Sequence, residues 1–178
     1  MGYVSADAPA ANPRSGRPAR DMLLSMAVLL IPIFLLVGAY RYFYSGDAPV
    51  AVDASQTWAT ARHSAPYPVL APDGLAKGWT VISATYAGGT LRVGYVSPSG
   101  GGLQLVESDR TGDVLLPAEL GTDARPGNLV TIDGRAWRTY PVVHGGGRAL
   151  VLVDQGRTVV VVGTATDSDL RALAGSLR

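Results

Sequence analysis

The longest unbroken apolar stretch runs from Met22 to Tyr40 (MLLSMAVLLIPIFLLVGAY) and contains no charge. A helix of this length measures about 28 Å at 1.5 Å per residue, close to the roughly 30 Å hydrocarbon core of a bilayer. The pattern predicts a retained transmembrane helix over residues 22–40, with the lipid bilayer as its partner. A cleaved signal peptide is the competing reading, but its apolar core is shorter, about 7–15 residues. The nearest small-residue cleavage site, Gly46-Asp47-Ala48, is followed by Pro49. Pro32 predicts a mild kink in the span. The span lacks GxxxG and ionisable residues, so it offers neither a close-packing dimer motif nor an ion pathway.

Beyond the span the periodicity changes twice. Ala54, Trp58, Ala61 and Arg62 recur at helical spacing, and Pro66 and Pro68 end that pattern, which predicts a short helix over 54–64. From Trp79 onward the period is two. The segment Trp79–Tyr86 is rich in β-formers, Gly88-Gly89 is a hairpin signal, and Leu91, Val93 and Tyr95 alternate with smaller or polar residues. A third strand begins at Leu103 and Leu105 and is expected to fade at Glu107-Ser108-Asp109. Residues 109–127 are the least regular, with one helical turn or a lid over Val114–Leu120. Val130 and Ile132 open a fourth strand, and Asp133-Gly134 turns it into a fifth carrying Trp137 and Tyr140. A last hairpin joins Leu150–Val153 to Thr158–Val162 around Gln155-Gly156. The uninterrupted Val159–Val162 run predicts a central strand covered on both faces.

The chain closes on a helix. Thr166 suits the N-cap, Asp169 follows three residues later, and Leu170, Leu173, Ala174 and Leu177 mark one helical face. The expected fold is α+β: a transmembrane helix, then an antiparallel sheet of about seven strands with a helix at each end. The domain organisation is a disordered cytoplasmic tail over 1–21, the span over 22–40, a juxtamembrane linker over 41–53 and an extracytoplasmic domain over 54–178.

Charge sets the orientation and removes several chemistries. The leading tail holds Arg14, Arg17 and Arg20 against Asp7 and Asp21, and the trailing side has Arg41, then Asp47 and Asp53. Positive flanks stay in the cytoplasm, which places the C-terminal domain outside. Tyr40, Tyr42, Phe43 and Tyr44 suit an outer interfacial belt. The net charge of +1 leaves no electrostatic footprint for nucleic acid. With no cysteine, disulfides, thiolate metal sites and cysteine nucleophiles are excluded. Lys77 is the single lysine beside fourteen arginines, and Ala, Gly and Val abound, a bias like that of a GC-rich actinobacterial genome.

The candidate chemistry is sparse. His63 and His144 lie in separate segments at no metal-ligand spacing, and both are expected to be solvent-exposed. No G-x-S-x-G elbow accompanies the serines and aspartates. The stretch from Glu107 to Asp113 departs from the calcium-loop pattern and reads as a solvated loop. The glycine runs at 100–102 and 145–147 match no phosphate or dinucleotide motif and read as connections. No catalytic, cofactor-binding or metal residue is therefore assigned. Trp58, Trp79 and Trp137 read as core; the alternative is a cleft between the N-terminal helix and the sheet, lined by tryptophan, Tyr86 and Tyr140.

Several short motifs occur together: Leu75-Ala76-Lys77-Gly78-Trp79, Leu91-Arg92-Val93-Gly94-Tyr95, Asp133-Gly134-Arg135-Ala136-Trp137, Val159–Gly163 and Asp169–Ala174. The set resembles a family of actinobacterial single-pass membrane proteins of unknown function, over nearly the whole chain from Met22. The resemblance implies an anchored extracytoplasmic α+β domain. It carries no assigned activity, so it transfers no catalytic residue. The functional expectation is a non-enzymatic binding, sensing or scaffolding domain of the bacterial cell envelope, with an envelope protein or small ligand as partner. A membrane-tethered enzyme and a purely structural or assembly protein are the alternatives.

Overall fold

The computed structural model describes residues 19–44, 50–154 and 156–178, with the backbone alone for 19–21 and 41–44. Arg14, Arg17 and Gln155 lie outside the described residues, as do most of the expected tail and part of the linker. Two compact units divide near residue 48. The first contains α1 (Ala19–Tyr44), which extends beyond the expected span at both ends and so takes in Ala19–Asp21 and Arg41–Tyr44. Its Met22–Tyr40 stretch is long and apolar enough to cross a membrane, and the same length and composition suit an anchor and a signal sequence alike.

The second unit is α+β. Its elements are α2 (Ser55–Ser64), β1 (Thr80–Ala87), β2 (Thr90–Val96), β3 (Gly102–Ser108), α3 (Gly112–Leu120), β4 (Leu129–Ile132), β5 (Arg135–Tyr140), β6 (Arg148–Asp154), β7 (Arg157–Gly163) and α4 (Asp167–Ser176). The seven strands form one antiparallel sheet in the order β1-β2-β3-β7-β6-β5-β4. Two meanders, β1–β3 and β4–β7, therefore meet along the β3–β7 seam. The chain leaves β3 in mid-sheet and re-enters at the far edge in β4. That detour explains α3: the connection crosses one face, and Leu115 and Leu120 are buried there with Val106, Val160 and Tyr140.

The turns follow from backbone sterics. Gly88 and Gly89 have φ of 56° and 73°, and Asp133 and Gly134 have 49° and 74°. Positive φ at both central residues is what a type I′ hairpin needs. The β3–β7 seam depends on close approach, because a Cβ at Gly163 would lie 2.1 Å from the Gly102 carbonyl oxygen. Edge strand β1 is partly capped by the Val52 N–H, which donates to the Val81 carbonyl at 2.8 Å, and a bulge interrupts it between Val81 and Ser83.

Residues paired across antiparallel strands share a face. The row Leu91, Glu107, Val159 and Leu152 thus points to one side. With Val93, Tyr95, Leu105, Val161 and Trp137 it builds the larger core, closed by Ala61 of α2, Leu70 of the segment after it, and Leu170, Leu173, Ala174 and Leu177 of α4. Val159, Val160 and Val161 are all fully buried, which accounts for the unbroken apolar run of the middle strand. At the start of α4 the Thr166 hydroxyl accepts the Asp169 N–H at 3.2 Å and donates to the Asp169 carboxylate at 2.8 Å. The Ser99 hydroxyl also donates to that carboxylate and, with Thr166, holds it below the usual carboxylate range. At α2 the cap position is Ala54, and Asp53 performs the task by accepting the Ser55 N–H at 2.9 Å.

Candidate functional site: an aromatic cleft between α2 and the sheet

Along α2, Ser55, Trp58 and Arg62 fall three and four residues apart, so they occupy one side of the helix, while Ala61 is packed against the core. That side faces the start of β1. Between α2 and Trp79, Tyr95 and Val81 lies a cleft of about 530 Å³, within the range of small-ligand sites. Tyr95 forms its buried floor at 3% exposure. The Trp79 and Tyr95 rings meet edge to face, with centroids 6.2 Å apart and planes at 80°, the arrangement that ring quadrupoles favour. The loop over residues 73–79 supplies Leu75 and Ala76 as a lip. On the other side of that lip a second cavity of about 450 Å³ shares Leu75, Ala76 and Trp79 and reaches α4.

The three tryptophans therefore part company. Trp137 is fully buried core, as its strand position suggested. Trp58 and Trp79 are only partly buried, pack against the edge of the core, and line the cleft. The core expectation for Trp79 is corrected accordingly: it lies at the end of the 73–79 loop, just before edge strand β1, between the cleft under α2 and the cavity that reaches α4. Tyr86 and Tyr140 are not part of this cleft. Tyr86 faces the other flank of α2 beside Gln56 and Thr57, and Tyr140 belongs to the core under α3. Tyr95 and Arg62 were named in the sequence reading only as strand and helix positions and not as residues of a cleft. The signal for Tyr95 was its place in the inward alternation of β2, and for Arg62 its i+4 spacing from Trp58.

Below the cleft lies a buried polar cluster. β3 ends at Ser108, within the expected fade over Glu107-Ser108-Asp109, but Glu107 is fully buried rather than part of a solvated loop. The expected solvated loop thus begins only after it. Glu107 Oε2 accepts the Leu70 N–H at 3.0 Å. The Tyr67 hydroxyl lies 2.8 Å from the Glu107 carbonyl and 3.1 Å from that of Gly89, sharing one proton between them. Arg157, at 3% exposure, donates to the Pro68 carbonyl and reaches Asp154 at 3.4 Å. These bonds hold residues 67–70 down on the sheet. Ala71 then pairs with Arg178 through two backbone bonds of 3.0 Å, which fixes the far wall of the cleft. Among the described residues Glu107 Oε1, Arg157 Nε and Trp137 Nε1 have no hydrogen-bond partner.

Burial pushes the Glu107 carboxyl up to about 7, against the Leu70 N–H and the Arg157 and Arg135 charges, which favour its ionised form. Burial first, and Glu107 second, push the Tyr95 phenol above its usual range. Glu107 does not line the cleft. His63 and His144 are both exposed and sit in α2 and in a 3-10 turn over His144–Gly146. Among the described residues, no three His, Cys, Asp or Glu side chains come together as a metal site. The arrangement offers an apolar, aromatic recess with one cation, Arg62, on its wall.

No curated protein matches the chain. A family model described as protein of unknown function (DUF4245) matches residues 14–177, and the chain belongs to that family.

Proposed function

We propose that this is a single-pass membrane protein of an actinobacterial envelope, with the N-terminus cytoplasmic and the domain over 54–178 outside, where it binds a small ligand in the aromatic cleft. The observation that carries the binding reading is the cleft itself: two half-buried tryptophans over a buried tyrosine, open to solvent. Large aromatic surface left uncovered beside a packed core suits recognition. The reading is non-enzymatic, because among the described residues Arg62 is the one charged side chain on the cleft wall. It provides no acid–base pair. Arg14, Arg17 and Arg20 before the apolar span support the orientation.

Two measurements test the reading. A reporter active only outside the cytoplasm, fused after Arg178, is expected to be active, and the fusion is expected to stay in the membrane at full length. An inactive but expressed fusion overturns the orientation, and a shortened, released product overturns the anchor. For the cleft, the full chain in phosphatidylcholine nanodiscs is titrated with indole, a soluble flat aromatic, with empty nanodiscs as blank. Saturable binding is expected, and a Trp58→Ala/Trp79→Ala double variant that keeps its circular dichroism is expected to lose it. Absent binding, or binding indifferent to the double variant, rejects the cleft as the site.

A further inference from the structure

We propose that the cleft takes a monomeric amphipathic anion: a single apolar chain or ring ending in one carboxylate. This rests on the binding reading above and names the chemistry of the ligand. Charge complementarity carries the step. Most of the other described arginines of the domain are tied down: five pair with carboxylates and three donate to backbone carbonyls. Among the described residues Arg62, Lys77 and Arg110 make no ion pair and no side-chain hydrogen bond. One of those three, Arg62, stands on the cleft wall and is exposed. Lys77, also exposed, follows Ala76 in the 73–79 loop but does not line the cleft. Among the described residues no carboxylate lines the cleft, so no acidic side chain on its wall offsets Arg62; Asp73 lines the neighbouring cavity beyond the lip.

The apolar part of the ligand follows from the rest of the wall. Trp58, Trp79, Tyr95, Val81 and Leu75 present rings and methyl groups, and Ser55 is the one hydroxyl besides the buried phenol. A polyhydroxylated ligand such as a sugar needs many donors and acceptors, and its groups would be left unpaired here. An apolar body loses little on entry and covers the rings. Size agrees with this. Ser55 and Arg62 stand seven residues apart on α2, about 10 Å along the helix axis. A phenyl ring with a short alkyl chain spans that length, placing its carboxylate at Arg62, where a guanidinium accepts it in a two-pronged hydrogen bond. A cationic ligand meets the uncompensated positive charge of Arg62 and is repelled.

The test uses three probes that share one apolar body: 6-phenylhexanoate, 6-phenylhexanol and 6-phenylhexylamine. Each is titrated by calorimetry into the full chain in phosphatidylcholine nanodiscs, with empty nanodiscs as blank. The carboxylate is expected to bind at least tenfold tighter than the alcohol, and the amine weakest. Arg62→Gln is expected to bring the carboxylate down to the level of the alcohol while leaving the alcohol unchanged. Because Arg62 is exposed, this variant keeps its fold, and circular dichroism checks that. Lys77→Gln is expected to give a smaller loss of the same sign. If carboxylate and alcohol bind alike, or the amine binds best, the anion class is overturned and the cleft remains a binding site. If none of the three binds at millimolar concentration, the cleft itself fails as a ligand site together with the class.

Discussion

Trp137→Ala is expected to destabilise the domain by about 3–5 kcal/mol, the usual cost of truncating a large buried ring. The side chain is fully buried, the largest one so enclosed, and its cluster joins the sheet to α4. Its loss leaves a void between layers that cannot collapse, because β5 is pinned on both sides by β4 and β6. A domain of this size has only about 5–15 kcal/mol of net stability, so much of it disappears. Trp79→Ala is the internal control. That ring is partly exposed at the cleft, so its truncation removes less buried surface and costs less. Thermal unfolding followed by circular dichroism checks both, since about 1 kcal/mol moves such a domain by several degrees. A Trp137→Ala shift below about 2 °C, or a shift no larger than that of Trp79→Ala, rejects the division of the tryptophans into core and cleft.

That division marks the limit of what the sequence made legible. Local features with a strict steric cause were readable. Gly88-Gly89 and Asp133-Gly134 adopt the positive φ their turns demand, and Thr166 with Asp169 caps α4. Val159–Val162 announced a strand covered on both faces, because four apolar residues in a row leave no side for water. What depends on distant pairing was not readable. Nothing local in β3 says that β7 lies beside it, nor that α3 must carry the chain to the far edge of the sheet. Glu107 read as the end of a strand, since a carboxylate rarely sits in a core. Its hydrogen-bond partner, the Leu70 N–H, comes from a segment 37 residues away, and Arg157 comes from β7. Period-two alternation placed Trp79 and Trp137 on strands but could not say what covers them. Trp137 is in an interior row under the helix layer, whereas Trp79 lies just before the edge strand β1, and the cleft exists because α2 stops short of closing over it.

Glu107 makes the domain's stability depend on pH in an unusual direction. In the unfolded chain a glutamate titrates near 4.3, and in the folded domain burial raises this one to about 7. Between those values the native state holds a proton that the unfolded state has released. Stability therefore falls as pH rises, because the slope of unfolding free energy with pH follows the protons bound unfolded minus those bound folded. The contribution is fully present below about pH 4, is lost as pH climbs through 7, and is flat above. A shift of this size corresponds to about 4 kcal/mol across the window. The groups facing the carboxylate set the scale: Arg157 and Arg135 draw the value down, while the Tyr67 and Tyr95 phenols bring no positive charge to offset burial. Asp53, Asp113 and Asp169 are shifted the other way and act only near and below pH 4, so they leave the window from pH 5 to 8 to Glu107. Urea denaturation at pH 5, 6, 7 and 8 is expected to show falling stability for the wild type. Glu107→Gln keeps the volume and an oxygen for the Leu70 N–H but cannot ionise. It is expected to flatten the profile and to be the more stable protein at pH 8. Parallel profiles for the two proteins would show that the carboxyl ionises alike in both states, contrary to its burial.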